Sequence, residues 1–544
     1  MITSAVSALR HGRFQAAVRS LIGLLFLLNP WPILADEAPA PTFPVWEFRV
    51  LGNTVLDARA IERAVTPFLG PDKTLADVES ARAALEAAYR AEGYGTVFVD
   101  IPEQSVDDGI VRLRATEGRL SVAKVAGSTY SNNAEIRAAV PEAAVGKVPS
   151  LTELQKEITS VNAVTPDRQV VPVLKAGAEP GTVDLALNVE DHLPFHGSVE
   201  LNNQHTARSR PLRLATNVSY DNMFDRHDSL SLQYLMSPQE TKDVKVFAAG
   251  YVARVPDGKL SFSYINNSSS VPIASAASIG KGRTYGVHYD RTLEAQPAVV
   301  QDLTVGLEYK RTEQSTPSPS EVPGASSSLS SPVNYLVGSI LYSGMLISPE
   351  RLFTWSIGPS FGVRGVGSSA LDFDNKRYLA RANFTLLRGE ASYTRHLPHG
   401  LDAVLRAGGQ FSEQPLLPNE QFVIGGVGSV RGYYEAEELG DLGLKLGTEL
   451  RGPSLFSRFE KLSERASLRP LAFLEGARVG TQDALPGSPT YTNLSSAGLG
   501  LDLEAWHFLT GNLTWAQTFN DGTNTGARTL KGAHRWLFSV KAAW

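Results

Sequence analysis

From Pro194 to the last residue the chain is written in short runs whose side chains alternate between apolar and polar, and this period of two constrains the fold more than any other feature. In Ser229 to Tyr234, residues Leu230, Leu232 and Tyr234 take one face while Ser229, Ser231 and Gln233 take the other. Lys259 to Tyr264 repeats the pattern with Leu260, Phe262 and Tyr264. Near the end, Trp536, Phe538, Val540, Ala542 and Trp544 alternate up to the final position, so the last strand is expected to carry no tail. One oily and one wet face fit either a sandwich, whose apolar faces meet, or a membrane barrel, whose apolar face meets lipid. Periodicity alone does not separate the two. Length favours the barrel, because roughly 350 residues of strands and turns exceed an ordinary sandwich and suffice for about sixteen spanning strands. A closed barrel must also pair its last strand with its first, since lipid tolerates no open edge. The Ser- and Pro-rich run from Thr312 to Asn334 predicts a long exposed loop.

Ahead of Pro194 the helical period appears twice. Phe48 and Val50 alternate before the turn at Gly52-Asn53, and Leu56, Ile61, Val65 and Phe68 then recur at helical spacing. Thr74 with Asp77 predicts a capped second helix whose apolar face is Leu75, Val78, Leu85 and Tyr89, stopped by Gly93. Val97 to Ile101 and Val111 to Ala115 read as strands. The order then repeats. A strand at Val122 to Val125 and a short helix near Asn132 to Ala139 are followed by a helix opened by Ser150 and Glu153 that buries Leu151, Leu154, Ile158 and Val161. Strands at Val170 to Leu174 and Val183 to Val189 close it. These are two β-α-α-β-β units of about 75 residues, each just large enough for its own core.

The N-terminus reads as a secretory signal. Arg10, Arg13 and Arg19 precede a short apolar core from Leu21 to Leu28, with cleavage expected after Ala35. That core is shorter than the ~20 residues a spanning helix needs. The expected domains are therefore a signal at 1–35, a linker at 36–44, α+β domains at 45–118 and 119–192, and a transmembrane β-barrel at 193–544. A mean hydropathy of -0.11 excludes a bundle of membrane helices but not a barrel. With Cys 0, thiol catalysis and cysteine metal sites are excluded, and a net charge of -5 offers no basic field for nucleic acid. No H-E-x-x-H or EF-hand run is present, so neither an enzyme nor a cofactor or metal is expected, and His196, His288 and His396 read as surface or lumen residues. Gly426-Val427-Gly428 and Gly432 resemble a phosphate loop only crudely, because no amphipathic helix follows.

Phe422-Val423-Ile424-Gly425-Gly426 followed by Val430-Arg431-Gly432-Tyr433 is the most informative segment. With the paired front units and the aromatic C-terminus it resembles the two-partner secretion transporters, the TpsB haemolysin-activator family of the BamA-like superfamily. The resemblance implies that the front units are polypeptide-transport-associated (POTRA) domains in the periplasm, and that a long loop folds back into a sixteen-stranded outer-membrane barrel with Val-Arg-Gly-Tyr at its tip. Glycine suits such a hairpin, which needs unusual dihedrals at positions such as Gly425, Gly426, Gly428 and Gly432. A guanidinium drawn into a lumen needs an anionic partner. In the family that partner lies in a Phe-x-Asp-x-Gly strand. The match here is Phe473-Leu474-Glu475-Gly476-Ala477, where Glu475 replaces the aspartate and Ala477 the last glycine. Gly197 to Asn203, with Arg213 and Asp225 to Ser229, resembles the start of the barrel.

By this resemblance the protein exports a secreted, TpsA-like exoprotein client recognised by the POTRA domains. Leu151, Leu154, Val171 and Val173 are candidates to bind an extended segment at a sheet edge. Outer-membrane lipids are expected around the barrel. Trp536, Phe538, Val540 and Trp544 form the expected C-terminal signal for the barrel-assembly machinery. No plug helix is expected, because only the Pro-rich 36–44 separates the signal from the first domain. The rival reading is a BamA-like insertase that assembles other barrels; two front units rather than three or five favour secretion.

Overall fold

The structure, a computed structural model, describes residues 41–544 apart from 107, 208, 243, 269–280, 294–297, 314–315, 318–327, 330–331 and 524–527. The expected signal and most of the linker lie outside the described residues. Two compact units emerge. The first takes the described chain to Ala126 with Arg137–Val161 and Val171–Asn188, and the second takes Gly127–Ile136, Asn162–Val170 and Val189–Trp544.

The first repeat runs β1 (Phe43–Val45), β2 (Glu47–Leu51), α1 (Ala58–Val65), β3 (Gly70–Lys73), α2 (Leu75–Ala91), β4 (Val97–Asp100) and β5 (Ile110–Glu117). β2 lies parallel to β5 and β4 antiparallel to it, in the order β2-β5-β4. A small β1-β3 pair was not legible in the sequence, because Gly70-Pro71-Asp72-Lys73 carries no strand pattern. α2 begins where the sequence says it should. The Thr74 N–H donates to Asp77 Oδ2 at 2.8 Å and the Asp77 N–H to Thr74 Oγ1 at 3.4 Å, closing a capping box. Val78, Ala81, Leu85 and Tyr89 then line its buried face. Val78, Leu85 and Tyr89 pack with Val97, Val99, Val111 and Leu113.

The second repeat contains β6 (Arg119–Ala126), α3 (Asn133–Ala138), α4 (Leu151–Asn162), β7 (Arg168–Ala176) and β8 (Thr182–Asp191). Its sheet order β6-β8-β7, with β6 parallel to β8, repeats that of the first, the last strand being central in both. β7 is thereby left at an edge.

Sixteen antiparallel strands close the barrel. In chain order β9 (Phe195–Asn202), β10 (Arg213–Met223), β11 (Asp228–Met236), β12 (Lys245–Val255), β13 (Gly258–Asn267), β14 (Gly282–Thr292) and β15 (Val299–Thr312) come first. The outer loop that follows carries the two-residue strands β16 (Thr316–Pro317) and β17 (Ser328–Leu329). β18 (Val333–Ser348), β19 (Arg351–Gly367), α5 (Ala370–Lys376), β20 (Thr385–Leu397) and β21 (Leu401–Phe411) lead to a hairpin of β22 (Phe422–Ile424) and β23 (Glu438–Gly440). β24 (Leu442–Arg451), β25 (Ala466–Gly480), β26 (Tyr491–Ala505), β27 (Leu509–Thr518) and β28 (His534–Ala543) complete the wall.

The direction of the oily face decides between sandwich and barrel. Leu232, Tyr234 and Phe262 point outward and are exposed, as are Leu307 at 52 %, Leu499 at 61 % and Trp536 at 59 %. Polar side chains such as Glu449, Glu475 and Thr514 are buried on the other side. A soluble sandwich would place these faces the other way round; a barrel in lipid requires this one. No described helix is long and apolar enough to cross a membrane. β28 closes on β9 from Ser539 opposite Asn202 to Ala543 opposite Ser198. Gly197 and Trp544 then exchange backbone hydrogen bonds of 3.0 and 2.9 Å. Any side chain at 197 would run into the Trp544 ring, which is why glycine stands there.

Candidate functional site: a loop folded into the barrel lumen

Residues 412–441 join β21 to β24 and fill part of the lumen. β22 pairs with β23, and in the loop between them Gly426 bridges Val430 around the turn Val427-Gly428-Ser429, with Arg431-Gly432-Tyr433 following directly. Gly425 at φ +99° and Gly432 at φ +97° adopt the left-handed backbone that the turn requires. Gly425 is further confined, since a Cβ there would sit 2.6 Å from the Tyr434 carbonyl oxygen. Gly428 does not share this conformation, so its contribution is not the one expected from the sequence.

The tip is held by charge. Arg431 Nη2 lies 2.6 Å from Glu475 Oε1 on β25, and its Nε donates to the same oxygen at 2.8 Å. The Arg431 backbone N–H donates to Glu475 Oε2 at 2.7 Å, so one carboxylate grips side chain and main chain together. Nη2 also donates to Glu449 Oε2 on β24 at 2.8 Å, while the guanidinium carbon stands 3.6 Å from the centre of the Phe473 ring. Arg431, Glu449 and Glu475 are all buried. Glu449 further accepts from Arg451 Nε at 2.7 Å. Buried pairs of this kind add little net stability, because desolvation offsets attraction, but they fix one geometry and penalise removal of either partner. Among the expected positions, Gly476 would meet only ordinary van der Waals contacts if it bore a Cβ. Ala477 packs with Phe422, Ile424, Val430 and Tyr433 in an apolar patch.

Further anchors were not found by sequence reasoning. The Tyr433 hydroxyl donates to the Asn520 carbonyl oxygen at 2.8 Å, with the Ser495 carbonyl oxygen 3.2 Å away. Glu437 accepts from the Thr529 N–H and hydroxyl, both at 2.6 Å. On the opposite wall Glu420 takes Lys310 Nζ at 2.9 Å and the Tyr335 hydroxyl at 2.8 Å. Asp441, fully buried, receives both Arg377 nitrogens at 2.6 and 2.5 Å, tying the segment after α5 to the loop. The available signal was the run Glu435, Glu437, Glu438 and Asp441 directly after the tip. Four carboxylates inside a confined loop demand partners, yet the sequence does not say which.

Against the loop lies a cavity of about 630 Å³, whose lining includes Arg431, Arg406, Lys445, Glu449, Arg451 and Asp502. Its mixed charge suits water and a passing polypeptide better than a compact ligand. The other expected positions are scattered. Leu151 and Val173 are half-buried, Val171 on the β7 edge is 43 % exposed, and Leu154 at 3 % is core. Trp536, Val540 and Trp544 face outward on β28 and at its end, with Phe538 partly exposed.

A closed antiparallel barrel, outward apolar faces, α/β repeats ahead of it and a charged hairpin folded into its lumen define a POTRA-barrel protein of the outer membrane, its POTRA domains in the periplasm. The comparisons with known proteins make the class specific. A profile described as haemolysin secretion/activation protein ShlB/FhaC/HecB matches residues 181–503, and one described as POTRA domain, ShlB-type, matches residues 43–118. Outer membrane transporter CdiB of Dickeya dadantii (strain 3937) is 26% identical over 431 residues, covering 77% of this chain and 74% of that protein. Heme/hemopexin transporter protein HuxB of Haemophilus influenzae (strain ATCC 51907 / DSM 11121 / KW20 / Rd) is 20% identical over 429 residues, again 77% and 74%. Among solved structures, CdiB from Escherichia coli superposes with a TM-score of 0.59 at 20% identity, covering 95% and 93% of the two chains. BamA from Haemophilus ducreyi lacking POTRA domains 1-3 gives 0.57 at 14% identity, covering 92% and 100%, a likeness of fold alone. The chain belongs to the ShlB/FhaC/HecB haemolysin secretion/activation family and is a two-partner secretion transporter of the outer membrane, acting with a secreted exoprotein.

Proposed function

We propose that Arg431, held between Glu449 and Glu475, is the register pin of the transport cycle: it fixes the 412–441 loop in the lumen at rest, and export proceeds when the loop shifts against this anchor. The buried three-residue charge cluster carries the reading, since a guanidinium shared by two strands and bound through its own backbone N–H defines one position for the tip. The incoming exoprotein segment adds as a strand to the β7 edge, its side chains meeting Val171, Val173 and Leu151, with Leu154 holding α4 from within. Trp536, Phe538, Val540 and Trp544 present to the barrel-assembly machinery during biogenesis and to lipid thereafter. Loop displacement within a charged lumen requires no nucleotide, and the family is one of transporters rather than known enzymes.

The test is secretion with and without the gene, read by mass spectrometry of the medium while the abundance of other outer-membrane barrels is followed. Loss of one large exoprotein with other barrels unchanged is expected, and Arg431→Ala should reproduce it with the barrel still inserted. A general fall in barrels would sink the reading in favour of an insertase.

A further inference from the structure

Where the first two barrel strands meet the turn before β7, three ligand-type side chains converge: Asp167, His196 and Asp221. His196 Nε2 lies 3.0 Å from Asp167 Oδ1 and 3.5 Å from Asp221 Oδ2, and the ligand atoms of all three lie within 4.8 Å of one another. We propose that these three residues bind a first-row divalent cation, of which zinc is the best-fitting example, at the periplasmic rim of the barrel.

The 3.5 Å between His196 Nε2 and Asp221 Oδ2 is the spacing of neighbouring ligands in a coordination shell, and the 3.0 Å to Asp167 Oδ1 lies a few tenths of an ångström inside it. Zinc bonds of roughly 2.0–2.2 Å at tetrahedral angles set neighbouring ligand atoms roughly 3.3–3.5 Å apart. One imidazole and two carboxylates leave a fourth position for water. An imidazole ligand argues against calcium and magnesium, which take oxygen.

The surroundings are arranged in the same sense. His196 sits opposite Ser219 in the β9–β10 register, and Asp221, two residues on, shares that face. The Ser229 hydroxyl donates to Asp221 Oδ1 at 2.6 Å and the Thr165 hydroxyl to Asp167 Oδ2 at 3.2 Å. Each carboxylate is thus oriented through its far oxygen, and the near oxygen of each is turned to the same imidazole nitrogen, as outer-shell partners orient metal ligands. Backbone bonds hold the frame, with the His192 N–H donating to the Asp167 carbonyl at 2.9 Å and the Asp221 N–H to that of Pro194 at 2.8 Å.

A plain ion pair accounts for this less well. Nε2 carries at most one proton and can direct it to only one of the two oxygens. Even a protonated imidazole leaves one net negative charge on the trio, whereas a divalent cation neutralises two carboxylates and satisfies both near oxygens at once. The bound ion ties the turn before β7 to β9 and β10.

The experiment is equilibrium dialysis of the full chain, folded in detergent and freed of any polyhistidine tag, against zinc alone. One equivalent bound with a dissociation constant below about 10 µM is expected, as befits a three-ligand site. His196→Ala and Asp221→Asn should lose it by at least 100-fold, and Ser229→Ala, which keeps all three ligands, should weaken it about 10–100-fold. His396→Ala, which removes the other rim histidine paired with an aspartate, should change nothing. No uptake by the unaltered chain at about 10 µM free zinc overturns the proposal whatever the variants do. Uptake that survives both His196→Ala and Asp221→Asn in heat-modifiable, folded barrels overturns it equally.

Discussion

Arg431 shows how one residue can be legible in type and illegible in connection. An arginine in a lumen needs an anion, and the family resemblance pointed to Glu475; the structure puts Glu475 at 2.6 Å and adds Glu449, which no spacing rule could have named because β24 and β25 become neighbours only when the wall forms. Arg431→Ala leaves two buried carboxylates facing each other without their shared cation, a change of the order of 3–5 kcal/mol in a dry interior and less in a wet lumen. The Arg431→Ala/Glu475→Ala double-mutant cycle, read by urea unfolding in vesicles, should therefore show a coupling well above 0.5 kcal/mol. Arg431→Lys should rescue poorly, because an ammonium cannot match both carboxylates and the Phe473 face.

At the same scale, Asp191 offers a pH test in the periplasmic part of the chain. Burial alone would raise its carboxyl, but the N–H groups of Thr129, Tyr130 and Ser131, at 2.9, 2.9 and 2.8 Å, outweigh burial and hold it below the ordinary carboxylate range. A group lowered in the folded state contributes stability above its unfolded value, about 4, and loses that contribution as pH falls through the folded one. Amide exchange at 129–131 should accelerate on acidification below about pH 4, and Asp191→Ala should remove that step at a cost of about 1–2 kcal/mol.

Among the elements, local physics reached furthest in the helices. Thr74 and Asp77 announce α2, and Val78, Leu85 and Tyr89 recur at its spacing, because a capping box and a 3.6 period need only near neighbours. Leu85→Ala, at a position with no exposed surface, should destabilise the first repeat by about 2–5 kcal/mol in thermal melts of the arm, with the barrel's heat-modifiability unchanged. β3 escaped notice for the converse reason. Its Gly-Pro-Asp-Lys sequence has no strand propensity, and it is a strand only because β1 lies beside it. The hairpin of β22 and β23, by contrast, was expected from the family resemblance, and the structure adds its register, with Phe422 opposite Gly440 and Ile424 opposite Glu438.

At the scale of the whole molecule the decisive quantity is which face of each strand meets lipid. Leu307 on β15 points outward, so Leu307→Arg in a vesicle-inserted barrel should cost about 2–4 kcal/mol if the position lies near the bilayer midplane, measured by urea titration. A protein of the same periodicity folded as a sandwich would bury Leu307, and there the same substitution should prevent folding outright. The alternating strands and the repeated α/β order follow from periods and residue types, which are properties of neighbours along the chain, while the lumen hairpin was expected from the family resemblance. That the apolar faces point outward, that Glu449 and Glu475 share Arg431, and that Asp167, His196 and Asp221 converge follow only from closure, which brings together residues separated by tens of positions. Alternation is identical read from either face of a strand, so the sequence by itself determined that these segments are strands, and only the tertiary structure decided what each face meets.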